Sequence, residues 1–202
     1  MSAQGSDEWL AERAGKVTAS ALSNVMMAKT TAGYQNYMAQ LICERLTGKP
    51  VETFKSAAME HGTETEPQAR AFYELETGHD VTECGFIPHP TIEGAGASPD
   101  GLIGDDGLVE IKCPQPAKHI RNLTGGTIDK GYMLQMQFQM ECTGRRWCDF
   151  VSFNPDFPDD LQMHITRVDY DAKAAAEIVA AVTAFQADMA EKLAALTTRR
   201  AA

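Results

Sequence analysis

The chain has 202 residues, 44% of them hydrophobic, which suits one globular domain spanning residues 1–202 and excludes a disordered chain. No apolar run approaches a membrane span, and Met1 to Trp9 lacks the basic and apolar regions of a signal peptide, so a cytoplasmic protein without a membrane partner is expected. The formal net charge of -10 and the pI near 4.9 are opposite to the basic footprint of a protein that holds nucleic acid by its phosphates, so any such contact has to be local.

Taken in order, Ser6 caps a short helix that runs through Ala14 and stops at Gly15, with Trp9 and Arg13 on one side of it. A second helix is expected from Thr18 or Ser20 to about Ala28, where its first amides and the Ser20 hydroxyl would suit an anion. Tyr34, Tyr37, Met38, Leu41 and Ile42 follow helical spacing up to Gly48, and Lys49 to Ser56 reads as a loop. Ala57 to Thr77 is helical in pattern, but Gly62 and Pro67 predict a break or kink there. Met59, a lone methionine, reads as core.

Val81 to Ile87 alternates as a first strand, and Ile92 to Ala97 leads into Ser98-Pro99-Asp100-Gly101. Gly101 to Ile103 and Leu108 to Cys113 form a hairpin about the Asp105-Asp106-Gly107 turn. Pro116 to Leu123 reads as a helix ended by Gly125-Gly126. Lys130 to Cys142 reads as another, with Met133, Met136 and Met140 on a core stripe and Gln135 and Gln139 on a different face. Trp147 to Phe153 and Leu161 to Val168 are two further strands, separated by a turn-rich run. A last helix, about 171–196, packs through Ile178, Val182, Phe185, Met189 and Leu196, and 197–202 reads as a frayed tail. Cys43, Cys84, Cys113, Cys142 and Cys148 are odd in number and lack CxxC spacing, so they read as reduced, mostly buried thiols rather than disulfides, zinc ligands or iron-sulfur ligands.

The hairpin carries the chemistry. On its second strand Glu110 and Lys112 share a face, while Val109, Ile111 and Cys113 share the other, which predicts one core face and one functional face. The turn brings Asp100 toward Glu110. Two carboxylates suit Mg²⁺, which prefers oxygen ligands and leaves positions for water and phosphate, and a neighbouring lysine suits the orientation of an attacking water. By spacing alone this trio also fits an ordinary hairpin with charged residues on its wet face. Lys118, His119, Arg121, Lys130, Arg145 and Arg146 are candidates for a locally basic surface, although solvated helix faces account for each one equally well.

Ser98-Pro99-Asp100 with Glu110-Ile111-Lys112 resembles the PD-(D/E)xK nuclease signature. Trp9, Arg13, Gly15 and Thr18-Ala19-Ser20, then Gly62, Glu66 and Ala69-Arg70, then Glu110 to Pro114 and Tyr132 to Gln137 fall in the order of the lambda-type phage exonucleases, the YqaJ-like viral recombinase family. The resemblance runs from Trp9 to about Asn154. It implies an α/β (α+β) restriction-endonuclease-like fold, with a central mixed β-sheet flanked by helices.

By the same resemblance, Asp100, Glu110 and the backbone carbonyl of Ile111 would bind metal, Glu66 would act at a second ion, Lys112 would position water, and Gln135 would hold a phosphate oxygen or a metal-bound water. Arg13, Ser20 and Ser98 would receive the 5'-terminal phosphate, with Trp9 and Lys118 also at the DNA; Met59 stands where the family has an apolar wedge. The implied cofactor is two Mg²⁺ ions, with Mn²⁺ able to substitute. The implied reaction is 5' to 3' digestion of one strand at double-stranded DNA ends to mononucleotides, by a ring-shaped homotrimer in the host cytoplasm, leaving a 3' single strand for a phage annealing protein. A PD-(D/E)xK endonuclease and a non-catalytic DNA-binding recombination scaffold are the alternatives.

Overall fold

The computed structural model describes residues 2–52 and 56–201. Ser6 caps α1 (Asp7–Arg13) by accepting from the Trp9 amide. Gly15 follows with φ of 71°, and a Cβ there would meet Arg45 Cγ at 2.7 Å, so both backbone sign and space call for glycine. The turn is held from α3 (Ala32–Thr47): Glu44 accepts from the Gly15 amide at 2.6 Å, and Arg45 donates to its carbonyl at 2.7 Å.

The helix expected from Thr18 or Ser20 to Ala28 is replaced by three short pieces. These are β1 (Val17–Thr18), a 3-10 turn (Ala19–Ala21) and α2 (Leu22–Val25). The reason is non-local: Val17 and Thr18 pair in parallel with β4 (Ala95–Ala97), and the Thr18 amide donates to Tyr37 Oη instead of starting a helix. α4 (Ala57–Thr77) is one continuous helix with Pro67 inside it, so Gly62 and Pro67 do not break it. The proposed loop before it lies partly outside the described residues, since 53–55 are not among them.

The stretch 81–87 is not one strand. Val81–Thr82 (β2) and Ile87–Pro88 (β3) join different sheets. β1, β4 and β3 make a small sheet, and a five-stranded mixed sheet runs β2-β5-β6-β7-β8. The five-stranded sheet is the expected mixed sheet flanked by helices, and the three-stranded sheet is an addition to it. β5 (Gly101–Ile103) and β6 (Gly107–Lys112) are the expected hairpin, registered Gly101 to Val109 and Ile103 to Gly107. α5 (Pro116–Leu123) and α6 (Lys130–Thr143) precede β7 (Trp147–Phe153), which runs parallel to β6, and β8 (Met163–Asp169) closes the sheet antiparallel to β7.

α7 (Ala172–Ala201) continues through the segment expected to fray, because its Ala-rich sequence has high helix propensity and no breaker; Ala202 lies outside the described residues. Its Ile178, Val182, Phe185 and Met189 are buried against Leu22, Tyr34, Met38 and Phe138, whereas Leu196 is exposed. No helix among the described residues is long and apolar enough to cross a membrane.

Both faces of the five-stranded sheet are covered. Val109 and Ile111 pack with Ala69 and Tyr73 of α4, while Leu108 packs with Met136 and Met140 of α6. Glu110 and Lys112 share one face as expected, but the alternative of an ordinary hairpin with a wet face does not hold: Glu110 points to the α6 side and is 0% exposed. The five cysteines are free thiols; Cys43 is exposed and Cys113 half-buried, the rest buried.

Candidate active site

The β5–β6 hairpin brings Asp100, Glu110 and Lys112 together, each for a backbone reason. Asp100 precedes β5, and its Oδ2 accepts from the Ile111 amide at 2.7 Å, tying the start of one strand to the end of the next. Strand alternation puts Glu110 and Lys112 on one side of β6, where they form an ion pair, and Lys112 Nζ lies 4.0 Å from Asp100 Oδ2. α6 completes the surroundings of Glu110. Gln135 and Gln139, one helical turn apart, donate to Oε1 and Oε2 respectively, each at 2.6 Å.

This is a desolvated cluster with more negative than positive charge. Burial, reinforced by Glu110, holds the Asp100 carboxyl well above its ordinary value near 3.8. Burial alone would lower the Lys112 ammonium, but Glu110 and then Asp100 outweigh it and the group is raised. Lys112 is thus a cation in this arrangement, a donor rather than a base.

A cleft of about 620 Å³ opens beside the cluster, bordered by Ser20, Met59, Glu66, Lys112, Lys118 and Gln135 among others. Glu66, from α4, reaches this cleft but bonds Arg70 at 2.7 Å, and Arg70 also bonds Glu83 at 2.5 Å. Burial raises the Glu66 carboxyl, against the pull of Arg70 and Lys112. Met59 is 57% exposed on the rim, which corrects its assignment to the core: it sits in the first turn of α4, where the helix overhangs the cleft. Lys118 is not a free cation, since it bonds Asp129 at 2.5 Å and lies 4.5 Å from the Tyr132 ring centre.

The Arg13, Ser20 and Ser98 side chains meet as well. Arg13 donates to Ser98 Oγ at 3.1 Å and to Ser20 Oγ at 3.3 Å, Trp9 Nε1 donates to the same Ser98 oxygen at 3.1 Å, and the guanidinium lies 4.0 Å from the Trp9 ring centre. Burial lowers Arg13 to about 10, so it stays charged at neutral pH. Because Ser98 is two residues from Asp100, this cationic, hydroxyl-lined corner adjoins the carboxylates. Gln4 also donates to the Pro99 carbonyl at 2.7 Å, fastening the N-terminal segment to the same strand entry.

Three of the six residues expected on a wider basic surface are buried or engaged, Lys118 among them, and Arg146 is exposed. His119 is fully buried, bonded to Ser152 and the Leu161 carbonyl, and one Arg145 nitrogen is taken up by the carbonyls of Ile103, Gly104 and Gly107. Arg121 and Lys130 are exposed.

Among the described residues, no three His, Cys, Asp or Glu side chains are grouped to hold a metal ion. Two carboxylates suffice for Mg²⁺, which takes one or two and completes its octahedron with water and phosphate. Asp100 and Glu110 fit that demand: they are hard oxygen donors, buried, mutually repelling and offset by one lysine. Glu66 would have to exchange Arg70 to join them.

The model of the YqaJ-like viral recombinase domain matches residues 8–146, which contain the Asp100, Glu110, Lys112 cluster and the Trp9, Arg13, Ser20, Ser98 corner. The chain belongs to the YqaJ-like viral recombinase family. An alkaline exonuclease from Laribacter hongkongensis is 52% identical, with 97% of this chain and 98% of that one covered and a TM-score of 0.91, and it has also been solved in complex with dAMP. A phage-related exonuclease from Haemophilus somnus 129PT, 16% identical with 90% of this chain and 96% of that one covered, shares the fold at a TM-score of 0.69. An uncharacterized protein of Acanthamoeba polyphaga mimivirus is 28% identical over 173 residues; the match spans 79% of this chain and only 30% of the viral protein.

Within this YqaJ-family site, Glu110, Lys112 and Gln135 are bonded to one another with Asp100 4.0 Å from Lys112, and Trp9, Arg13, Ser20 and Ser98 form a second group beside them. Gln139 and Arg70 were not singled out from the sequence for any role. A signal for Gln139 existed: an amide one helical turn from Gln135, on the same side of the helix.

Proposed function

We propose that this chain is a metal-dependent exonuclease that digests one strand of linear double-stranded DNA from its 5' end, releasing mononucleotides. The observation that carries the reading is the adjacency of the two groups, with a carboxylate–lysine cluster and an arginine–serine corner only two residues apart along one strand entry. The 52% identity to an alkaline exonuclease, and that relative's complex with a mononucleotide, support the activity and the product class.

Asp100 and Glu110 would hold a Mg²⁺ or Mn²⁺ ion, with the Ile111 carbonyl as a third oxygen. Such an ion neutralises charge on the scissile phosphate and makes water a stronger nucleophile. Lys112, fixed by Glu110, would donate to the attacking water and so aim it. Arg13 would take the terminal phosphate through its planar fork, with Ser20 and Ser98 supplying hydroxyl donors. Gln135, shared between Glu110 and the cleft, would contact a phosphate oxygen without adding charge. Glu66, released by Arg70, would serve a second ion, while Met59 and Lys118 on the rim would meet the end of the duplex.

The test is cleavage of linear and closed circular DNA with Mg²⁺ and with EDTA. Linear-only, EDTA-sensitive cleavage supports the exonuclease. Nicked circles would indicate an endonuclease, and no cleavage of either would leave a DNA-binding scaffold. A ring trimer acting with a single-strand annealing protein belongs to the same proposal, and light scattering of the purified chain tests the trimer.

A further inference from the structure

Glu110 is fully buried, and its two oxygens are held differently. Oε1 meets Gln135, which borders the cleft, and Lys112. Oε2 meets Gln139, which is 0% exposed and, unlike Gln135, does not border the cleft. That bond is the only hydrogen bond of the Gln139 side chain: its own Oε1 is buried and has no donor among the described residues. An uncompensated acceptor is destabilising, and methionine would fill the same volume beside two methionines without that defect. Packing therefore does not account for glutamine at this position. Its contact with Glu110 does.

We propose that Gln139 is a positioning residue for cation binding. By tying down Oε2 on the dry side, it turns Oε1 alone toward the cleft, so that Glu110 offers one oxygen rather than two. A one-oxygen ligand suits an ion of magnesium size, which keeps its remaining positions for water and phosphate. Without the tie, Oε2 has no partner and the carboxylate is held through Oε1 alone, by Gln135 and Lys112, so the site loses part of its preset geometry. The inference rests on the reading of Glu110 as a cation ligand, and goes beyond it by assigning its orientation to a residue outside the cleft.

The experiment compares Gln139→Met, Glu110→Gln and the unaltered full chain, without DNA, by titrating Mn²⁺ and measuring free Mn²⁺ by electron paramagnetic resonance, with thermal melting in EDTA alongside. Gln139→Met is expected to melt at or above the unaltered protein while binding Mn²⁺ about tenfold more weakly, the usual effect of removing a group that orients a metal ligand. The Mg²⁺ concentration for half-maximal cleavage should rise by a similar factor. Unchanged Mn²⁺ affinity in a folded Gln139→Met would overturn the role of Gln139, provided Glu110→Gln has lost binding. Unchanged affinity in Glu110→Gln would overturn the underlying metal reading instead. If Gln139→Met does not fold, Gln139→Asn, whose shorter amide falls out of reach, carries the same expectation and the same refutation.

Discussion

Replacing Lys112 by Met removes the one cation that faces two buried carboxylates. Glu110 would keep its two amide donors and Asp100 its backbone amide, but neither would have a countercharge. Breaking a buried pair by deleting one partner costs about 3–5 kcal/mol. The Lys112 side chain is 26% exposed, so the lower end applies. For a chain of this length each kcal/mol moves the melting temperature by about 2–4 °C, giving a fall of roughly 6–12 °C in EDTA at neutral pH. The pH dependence has a defined sign. Because the Asp100 carboxyl is held above 3.8, the folded state binds more protons than the unfolded state from about that pH upward, so its contribution is destabilising at neutral pH and is relieved as pH falls toward 3.8. The Lys112→Met deficit should therefore shrink in acid, and added Mg²⁺ should restore part of the lost stability at neutral pH. Scanning calorimetry in EDTA and in Mg²⁺ checks this. Equal melting temperatures for variant and unaltered protein in EDTA at neutral pH would refute the charge accounting.

Asp100→Asn should raise the melting temperature in EDTA, increasingly so from pH 4 to pH 7, while abolishing cleavage; a lower melting temperature would contradict the burial argument. Arg13→Ala should cut the preference for 5'-phosphorylated over 5'-hydroxyl ends by about tenfold, the value of a charge-assisted hydrogen bond, as measured by competition between the two substrates. Gly107→Ala places a Cβ 2.2 Å from the Trp147 ring and should cost about 1–3 kcal/mol in denaturant unfolding, leaving the Mg²⁺ dependence unchanged.

The hairpin, α5 and β7 were legible in the sequence because local signals and tertiary packing agree there: an Asp105-Asp106 turn beside Gly107, Pro116 at a helix start, and a strand rich in aromatic and β-branched residues from Trp147 to Phe153. Val17-Thr18 and Val81 to Ile87 were misread because their structure comes from partners far along the chain, β4 for the first and two separate sheets for the second. The Pro67 helix survives because the packing of Ala69 and Tyr73 against the sheet outweighs the lost backbone bond. In the site, period-two alternation placed Glu110 with Lys112, but no local pattern tells that α6 would cover that face and bury the glutamate. Lys118 and Arg145 were candidates for a locally basic surface, and their partners, Asp129 and three carbonyls, are visible only once the chain is folded.

The most direct test of the central claim is digestion of one linear duplex, labelled in separate samples at its 5' or its 3' terminus, with Mg²⁺. Early release of the 5' label as a mononucleotide, with the 3' label retained on long fragments, is the predicted result. Early release of the 3' label would contradict the polarity and the assignment of Arg13, Ser20 and Ser98 to the terminal phosphate.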